Sequence, residues 1–126
     1  MSLLTALTRN IAETSQSAED PRLRTRLYPL SRETVWTTVQ QLAATQPGWT
    51  VVNTDPAEGT LKAESRTRLL KFVDDVTIHV RAASGQRISV DMHSRSRLGK
   101  GDFGTNARRI GAFLAALDSA LAVPKA

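Results

Sequence analysis

The chain has 126 residues, of which 40% are hydrophobic and 23% charged, with a formal net charge of +5 at pH 7. That is enough for one domain around a single core, and too apolar for a disordered segment. The absence of cysteine excludes disulfides, thiol chemistry, iron–sulfur clusters and cysteine-bound zinc.

Leu3, Leu4, Leu7 and Ile11 share one helical face, and a segment rich in Ser, Thr, Gln and acids then runs to Asp20 and Pro21. Residues 1–20 therefore read as a short amphipathic helix and linker, and residues 21–126 as a single α+β domain. The N-terminus lacks the basic-then-apolar pattern of an export signal, and no stretch approaches the roughly 18 apolar residues of a membrane span. A cytoplasmic protein without stable membrane insertion is expected. From Arg22 to Leu30 the alternation predicts a half-buried strand with Leu23, Thr25 and Leu27 facing inward. Ser31 suits a helix N-cap and Glu33 its first turn. Val35, Trp36, Val39, Leu42 and Ala43 then recur at helical spacing until Pro47-Gly48, which predicts a helix over 32–46.

Trp49, Val51 and Val52 open a strand that ends in the turn sequence Asp55-Pro56-Ala57-Glu58-Gly59, and Thr60 to Thr67 returns with Leu61 and Ala63 inward. Val76, Ile78 and Val80 alternate with polar residues, as do Ile88, Val90 and Met92 after the turn at Ser84-Gly85, forming a second hairpin. A loop of Ala83, Ser84 and Gly85 sets Val80 opposite Ile88, Ile78 opposite Val90, Arg81 opposite Arg87 and Asp75 opposite His93. From about Phe103, the positions Ala107, Ile110, Phe113, Leu114, Leu117 and Leu121 trace a strong apolar stripe closed by Pro124. The element order predicts an α+β fold: a curved antiparallel sheet of about five strands, two main helices on one face, and the short N-terminal helix.

Between positions 87 and 109, six cations face only Asp91 and Asp102, so this segment carries four of the five net positive charges. Arg95, Arg97, Lys100, Asp102, Asn106 and Arg109 form the candidate ligand-binding set, suited to a small anionic or amphipathic molecule near the start of the last helix. Asp102 is also a candidate N-cap, which would occupy the same backbone donors. Gly99, Gly101 and Gly104 match a dinucleotide fingerprint, but no strand follows the helix, so the glycines are assigned to a tight strand-to-helix connection and no cofactor is expected.

A hydrolase or lyase alternative pairs Asp75 with His93, or Asp74 with Arg97. Adjacent aspartates on a strand point to opposite faces, so Asp74 and Asp75 do not serve one site. His79 and His93 are too few to hold zinc without cysteines, so no metal is expected. The chain has six aromatic residues, several of them on core stripes, which leaves no stacking platform for nucleic acid. A third reading is an assembly module, a homodimer joined through the N-terminal helix.

Phe72-Val73-Asp74-Asp75 and the long run from Ser94 to Ile110, Ser-Arg-Ser-Arg-Leu-Gly-Lys-Gly-Asp-Phe-Gly-Thr-Asn-Ala-Arg-Arg-Ile, resemble the family known as domain of unknown function 1499, found in bacteria and plant plastids. The resemblance extends over about Leu27 to Leu117. It marks Asp74, Asp75, Ser94, Ser96, Gly99 and Gly104, with Arg97, Asp102, Asn106 and Arg109, as signature positions and implies no activity for them.

Overall fold

The alternating segments form one open antiparallel sheet in a computed structural model that describes residues 11–66, 72–97 and 104–122. Its strands are β1 (Ile11–Glu13), β2 (Arg26–Tyr28), β3 (Trp49–Asp55), β4 (Thr60–Arg66), β5 (Val73–Ala83) and β6 (Arg87–Ser96). The order across the sheet is β1-β6-β5-β4-β3, and β2 lies along the same edge of β6 as β1. Helices α1 (Arg32–Thr45) and α2 (Thr105–Ala120) pack on one face. Among the described residues no helix covers the other face, as antiparallel sheets allow.

The core lies between that face and the helices. Leu61, Val76, Ile78, Val90 and Met92 from the sheet meet Val35 and Val39 of α1 and Ile110, Phe113, Leu114 and Leu117 of α2, all buried. The Trp49 ring stacks on Phe113 with centroids 5.3 Å apart and planes 8° from parallel. Ser31 caps α1 as its sequence position predicts, accepting from the Thr34 N–H at 3.1 Å. α2 begins at Thr105, and its N-cap is the left-handed Gly104, with φ 81° and no side-chain cap bond. The expected N-cap Asp102 lies outside the described residues, as do residues 1–10 of the expected N-terminal helix. Ile11, assigned to that helix by its spacing, is instead in β1, opposite Arg95. The exposed edge of β6 offers it backbone partners that a short isolated helix lacks. The strand count is therefore six rather than five among the described residues.

Two further expectations are corrected. The segment expected as one strand over 22–30 divides into a 3-10 turn at Pro21–Leu23 and the short β2. In β2 it is Tyr28 that is buried, while Leu27 pairs with Ser89 on the outer face. Alternation gave the wrong face because Tyr28 Oη donates to Asp118 Oδ1 at 2.6 Å and Arg26 Nε to Asp118 Oδ2 at 3.0 Å, so both polar groups reach α2 from the core side. Burial, and then the Asp118 carboxylate, push the Tyr28 phenol well above its ordinary pKa.

In the β5–β6 hairpin, Gly85 (φ 72°) and Gln86 (φ 56°) are both left-handed, so the loop is Ser84–Gln86 and Ala83 pairs with Arg87. This moves the register by two residues and keeps the predicted faces. Val80 faces Val90, Asp75 faces Arg95, and His79 faces Asp91. The expected register set Arg81 against Arg87. The observed one sets Arg81 against Ser89 and pairs opposite charges elsewhere, which is the electrostatically favoured alternative.

Candidate binding site

Along the core face of β5 and β6 the apolar rows end in Asp74, Ser94 and Ser96, with Asp74 directly opposite Ser96. In the first turns of α2, Asn106 and Arg109 stand three residues apart and so share the helix face that meets this polar end. Arg109 Nη2 lies 2.8 Å from Asp74 Oδ2, and the two side chains retain only 11% and 4% of their exposure. Arg109 Nη1 donates to Asn106 Oδ1 at 2.7 Å and to Ser94 Oγ at 3.1 Å. Ser94 Oγ in turn donates to Asn106 Oδ1 at 2.6 Å, and Asn106 Nδ2 donates to Ser96 Oγ at 3.0 Å. The guanidinium fork is thus shared between a carboxylate and two neutral acceptors, which fixes the start of α2 against β5 and β6.

Arg97 lies on the other face. Its guanidinium reaches Asp75 through Nε at 3.0 Å and Nη2 at 2.8 Å, and reaches Glu64 through Nη2 at 2.6 Å. The Arg97 guanidinium holds the Asp75 carboxyl below the ordinary carboxylate range, against a smaller opposing effect of burial. Asp75 first, and then Glu64, push Arg97 upward. Because the folded pKa of Asp75 is depressed, this pair stabilises the fold above the unfolded carboxylate value, and that contribution is lost as pH falls through the folded value. In an NMR pH titration the Asp75 midpoint should be low in the native chain and return to the ordinary range in Arg97→Ala. An unchanged midpoint in the variant would show that Arg97 is not the cause.

The candidate ligand set is therefore divided by the sheet. Arg109 and Asn106 belong to the buried network, Arg97 to the outer cluster, and Arg95 is exposed on the outer face opposite Asp75. Lys100, Asp102 and Gly99 lie outside the described residues. Neither pair of the enzyme alternative forms. Asp75 faces Arg95 and bonds Arg97, while His93 faces Thr77. Asp74 and Arg97 lie on opposite faces.

His79 also lies on the outer face, with Nδ1 3.2 Å from Thr60 Oγ1 and 3.2 Å from Arg81 Nη2. Burial lowers its pKa first and Arg81 adds to the effect, and because a guanidinium only donates, Nδ1 is the acceptor toward Arg81. Both histidines are on the face opposite Ser94, so neither activates that hydroxyl.

Sequence reasoning missed Glu64, which shares Arg97 with Asp75, because its role depends on the β4–β5 register that sets Glu64 opposite Asp75. It also missed Asp91, whose Oδ1 accepts from Thr14 Oγ1 at 2.7 Å and Thr25 Oγ1 at 2.5 Å, tying both N-terminal strands to β6. Alternation alone places Asp91 and Glu64 on the outer face but names no partner for either.

With this geometry in view, a family model described as "Protein of unknown function (DUF1499)" matches residues 4–117. The chain belongs to that family. The match takes in both signature segments and nearly the whole chain, so the Asp74–Arg109 and Asp75–Arg97 pairs are made by residues inside the family domain. A search of curated proteins finds no match.

Among solved structures, the chain is similar to DR_A0006 from Deinococcus radiodurans, with 7% identity and a TM-score of 0.53, covering 90% of this chain and 99% of that one. It is also similar to the di-domain ARO/CYC protein BexL of the BE-7585A biosynthetic pathway, with 15% identity and a TM-score of 0.54. That match covers 90% of this chain and 48% of BexL, so the DUF1499 chain spans about half of that protein. At these identities the likeness is one of fold. Among the described residues of the DUF1499 chain, no helix is long and apolar enough to cross a membrane.

Proposed function

We propose that this DUF1499 domain is a binding module rather than a catalyst, and that it takes an anionic ligand at the end of the sheet where β6 leads toward α2. One observation supports this most directly. Residues 98–103, Leu-Gly-Lys-Gly-Asp-Phe, are bounded on one side by Arg97, clamped to Asp75 and Glu64, and on the other by the buried Asn106–Arg109 network. In the sequence, residues held by two arginine clamps on opposite faces flank this glycine-rich stretch, whose one cation is Lys100. Fixed residues on either side of a binding segment limit the entropy lost when that segment takes a ligand.

The arginines of the clamps are occupied by internal acceptors, so the ligand charge falls to Lys100 and to the exposed Arg95. In a thermal-shift screen, inorganic phosphate, sulfate, nucleotides and carboxylates are tested on the full chain beside Lys100→Ala and Arg95→Ala. A ligand at one hundred times its dissociation constant adds about 2.7 kcal/mol, which raises the midpoint by several degrees in a domain of this size. The expected result is a shift with at least one anion that shrinks in both variants. No shift with any anion would sink the proposal.

A further inference from the structure

Both ends of the segment that links β1 to β2 are fastened to one carboxylate. Asp91 of β6 accepts at Oδ1 from Thr14 Oγ1 at 2.7 Å and from Thr25 Oγ1 at 2.5 Å. The backbone closes beside them, with Ser15 N donating to the Leu23 carbonyl at 2.9 Å and Thr25 N to the Ser15 carbonyl at 3.1 Å. Between these ends the 3-10 turn Pro21–Leu23 passes over α2 so closely that a Cβ at Gly111 would lie 3.1 Å from that of Arg22. β1 itself has three residues and stands at the edge of the sheet, so it belongs to the part of the fold that opens before the core does.

His79 of β5 stands directly opposite Asp91, with Thr60 of β4 on its other side. Its Nδ1 accepts from Arg81 Nη2 at 3.2 Å. That acceptor exists only while the ring is neutral, because a protonated imidazole donates at both nitrogens. Lys62 of β4 and His93 of β6 also disfavour a charge on the ring, whereas Asp91 favours one. Farther out, Glu13 of β1 faces His93 and Asp55 of β3 faces Thr60. The one carboxylate directly opposite the ring is thus already engaged by the two threonines.

We infer that Asp91 is a pH-sensitive clasp: when His79 takes up a proton in mildly acidic solution, Asp91 turns to the ring, releases Thr14 and Thr25, and frees residues 14–25 and β1 from the edge of β6. The same proton ends the bond from Arg81 and sets two cations side by side, which strengthens the pull on Asp91. Burial first, and then Arg81, hold the ring's pKa below the ordinary histidine value while the clasp is closed. Opening admits water and supplies a free carboxylate, both of which raise it, so acid favours the open state. The histidine's contribution to the closed clasp is complete above the ordinary histidine range and is lost as pH falls through that range toward the depressed closed value. Release uncovers the edge of β6, whose backbone groups can then pair with another strand.

The test is amide exchange of the full chain by NMR at about pH 7.5 and about pH 5.5, expressed as protection factors so that the intrinsic pH dependence of exchange is removed. Protection at Thr14, Ser15 and Thr25 should fall roughly threefold to tenfold on acidification. Val80, whose N–H donates to the Gly59 carbonyl at 2.7 Å, should keep its protection. His79→Gln retains an acceptor for Arg81 but gains no charge, so the response should vanish, whereas His93→Gln should retain it. Thr25→Val removes one arm of the clasp and should lower protection at Thr14 and Ser15 already at pH 7.5.

Unchanged protection at the three amides overturns the inference, as does an equal fall at Val80, which would mark loosening of the whole fold. A response that survives His79→Gln or is lost in His93→Gln overturns it too, and so does full protection at pH 7.5 in Thr25→Val. One further readout needs no variant: the Thr14 and Thr25 amide shifts should titrate with the same midpoint as the His79 ring. Separate midpoints would uncouple the clasp from that histidine.

Discussion

Replacing Arg109 with alanine is expected to cost about 3–5 kcal/mol of folding stability, because it leaves the Asp74 carboxylate buried without its cation. The loss is larger than for a surface pair since both groups are nearly out of water and the guanidinium also serves Asn106 and Ser94. Arg109→Lys keeps the charge but not the fork. One ammonium does not span Asp74 and the Asn106–Ser94 pair in the same geometry, so an intermediate loss is expected. Asp74→Asn combined with Arg109→Ala removes the stranded charge and should be less destabilising than the sum of the two single changes, by on the order of 1 kcal/mol or more.

Urea denaturation of the native chain and the four variants measures all of this, and in thermal scans Arg109→Ala should melt on the order of 10 °C lower. A loss below about 1 kcal/mol for Arg109→Ala would mean that the pair is not what holds the start of α2 to the sheet. The same variant bears on function, because loosening α2 releases one of the two clamps beside residues 98–103. Anion binding should therefore weaken in Arg109→Lys at temperatures where it is fully folded, although Arg109 itself is buried away from ligand.

Both helices and the inward faces of β4, β5 and β6 were legible because each rests on local periodicity. Ser31 caps α1 as its position requires, and Asp74 and Asp75 diverge as neighbours on a strand must. What escaped was set by partners distant in sequence. Tyr28 turns inward because Asp118 of α2 waits for its hydroxyl, and Ile11 becomes a strand because the edge of β6 is free at Arg95. The β5–β6 register slipped by two because Gln86 adopts a left-handed conformation that glycine alone was expected to take. That slip decided the chemistry, since it gave Asp75 to Arg95 and Arg97 and so removed the carboxylate expected to orient His93. The signature residues among those described fall into two clusters, one on each face of the sheet. Their division between the two faces follows from the parity of β5 and β6, but the choice of Arg109 for Asp74 and Arg97 for Asp75 depends on where α2 sits.

The close approach of β4 to β5 at Gly59 carries the other large effect. Gly59 has φ 70°, and a Cβ there would lie 2.1 Å from the Val80 carbonyl oxygen, a backbone atom that cannot swing aside. The neighbouring bonds hold the arrangement. Gly59 N donates to the Asp55 carbonyl at 2.8 Å, Val80 N donates to the Gly59 carbonyl at 2.7 Å, and Arg32 Nη2 from α1 donates to the Pro56 carbonyl at 2.5 Å. Gly59→Ala must therefore bear left-handed strain of about 1–3 kcal/mol together with an overlap that moves β4 off β5, so a total loss of roughly 3 kcal/mol or more is expected.

Gly85→Ala is the control. Its φ is 72°, but a Cβ there meets only the flexible Arg87 side chain at 3.5 Å, so strain alone applies and a loss of about 1 kcal/mol is expected. Asparagine, which tolerates the left-handed region, should recover most of the loss at position 85 and little of it at 59. Equal losses for the two alanine variants in urea denaturation would show that backbone conformation, not the contact with Val80, is what requires glycine at 59.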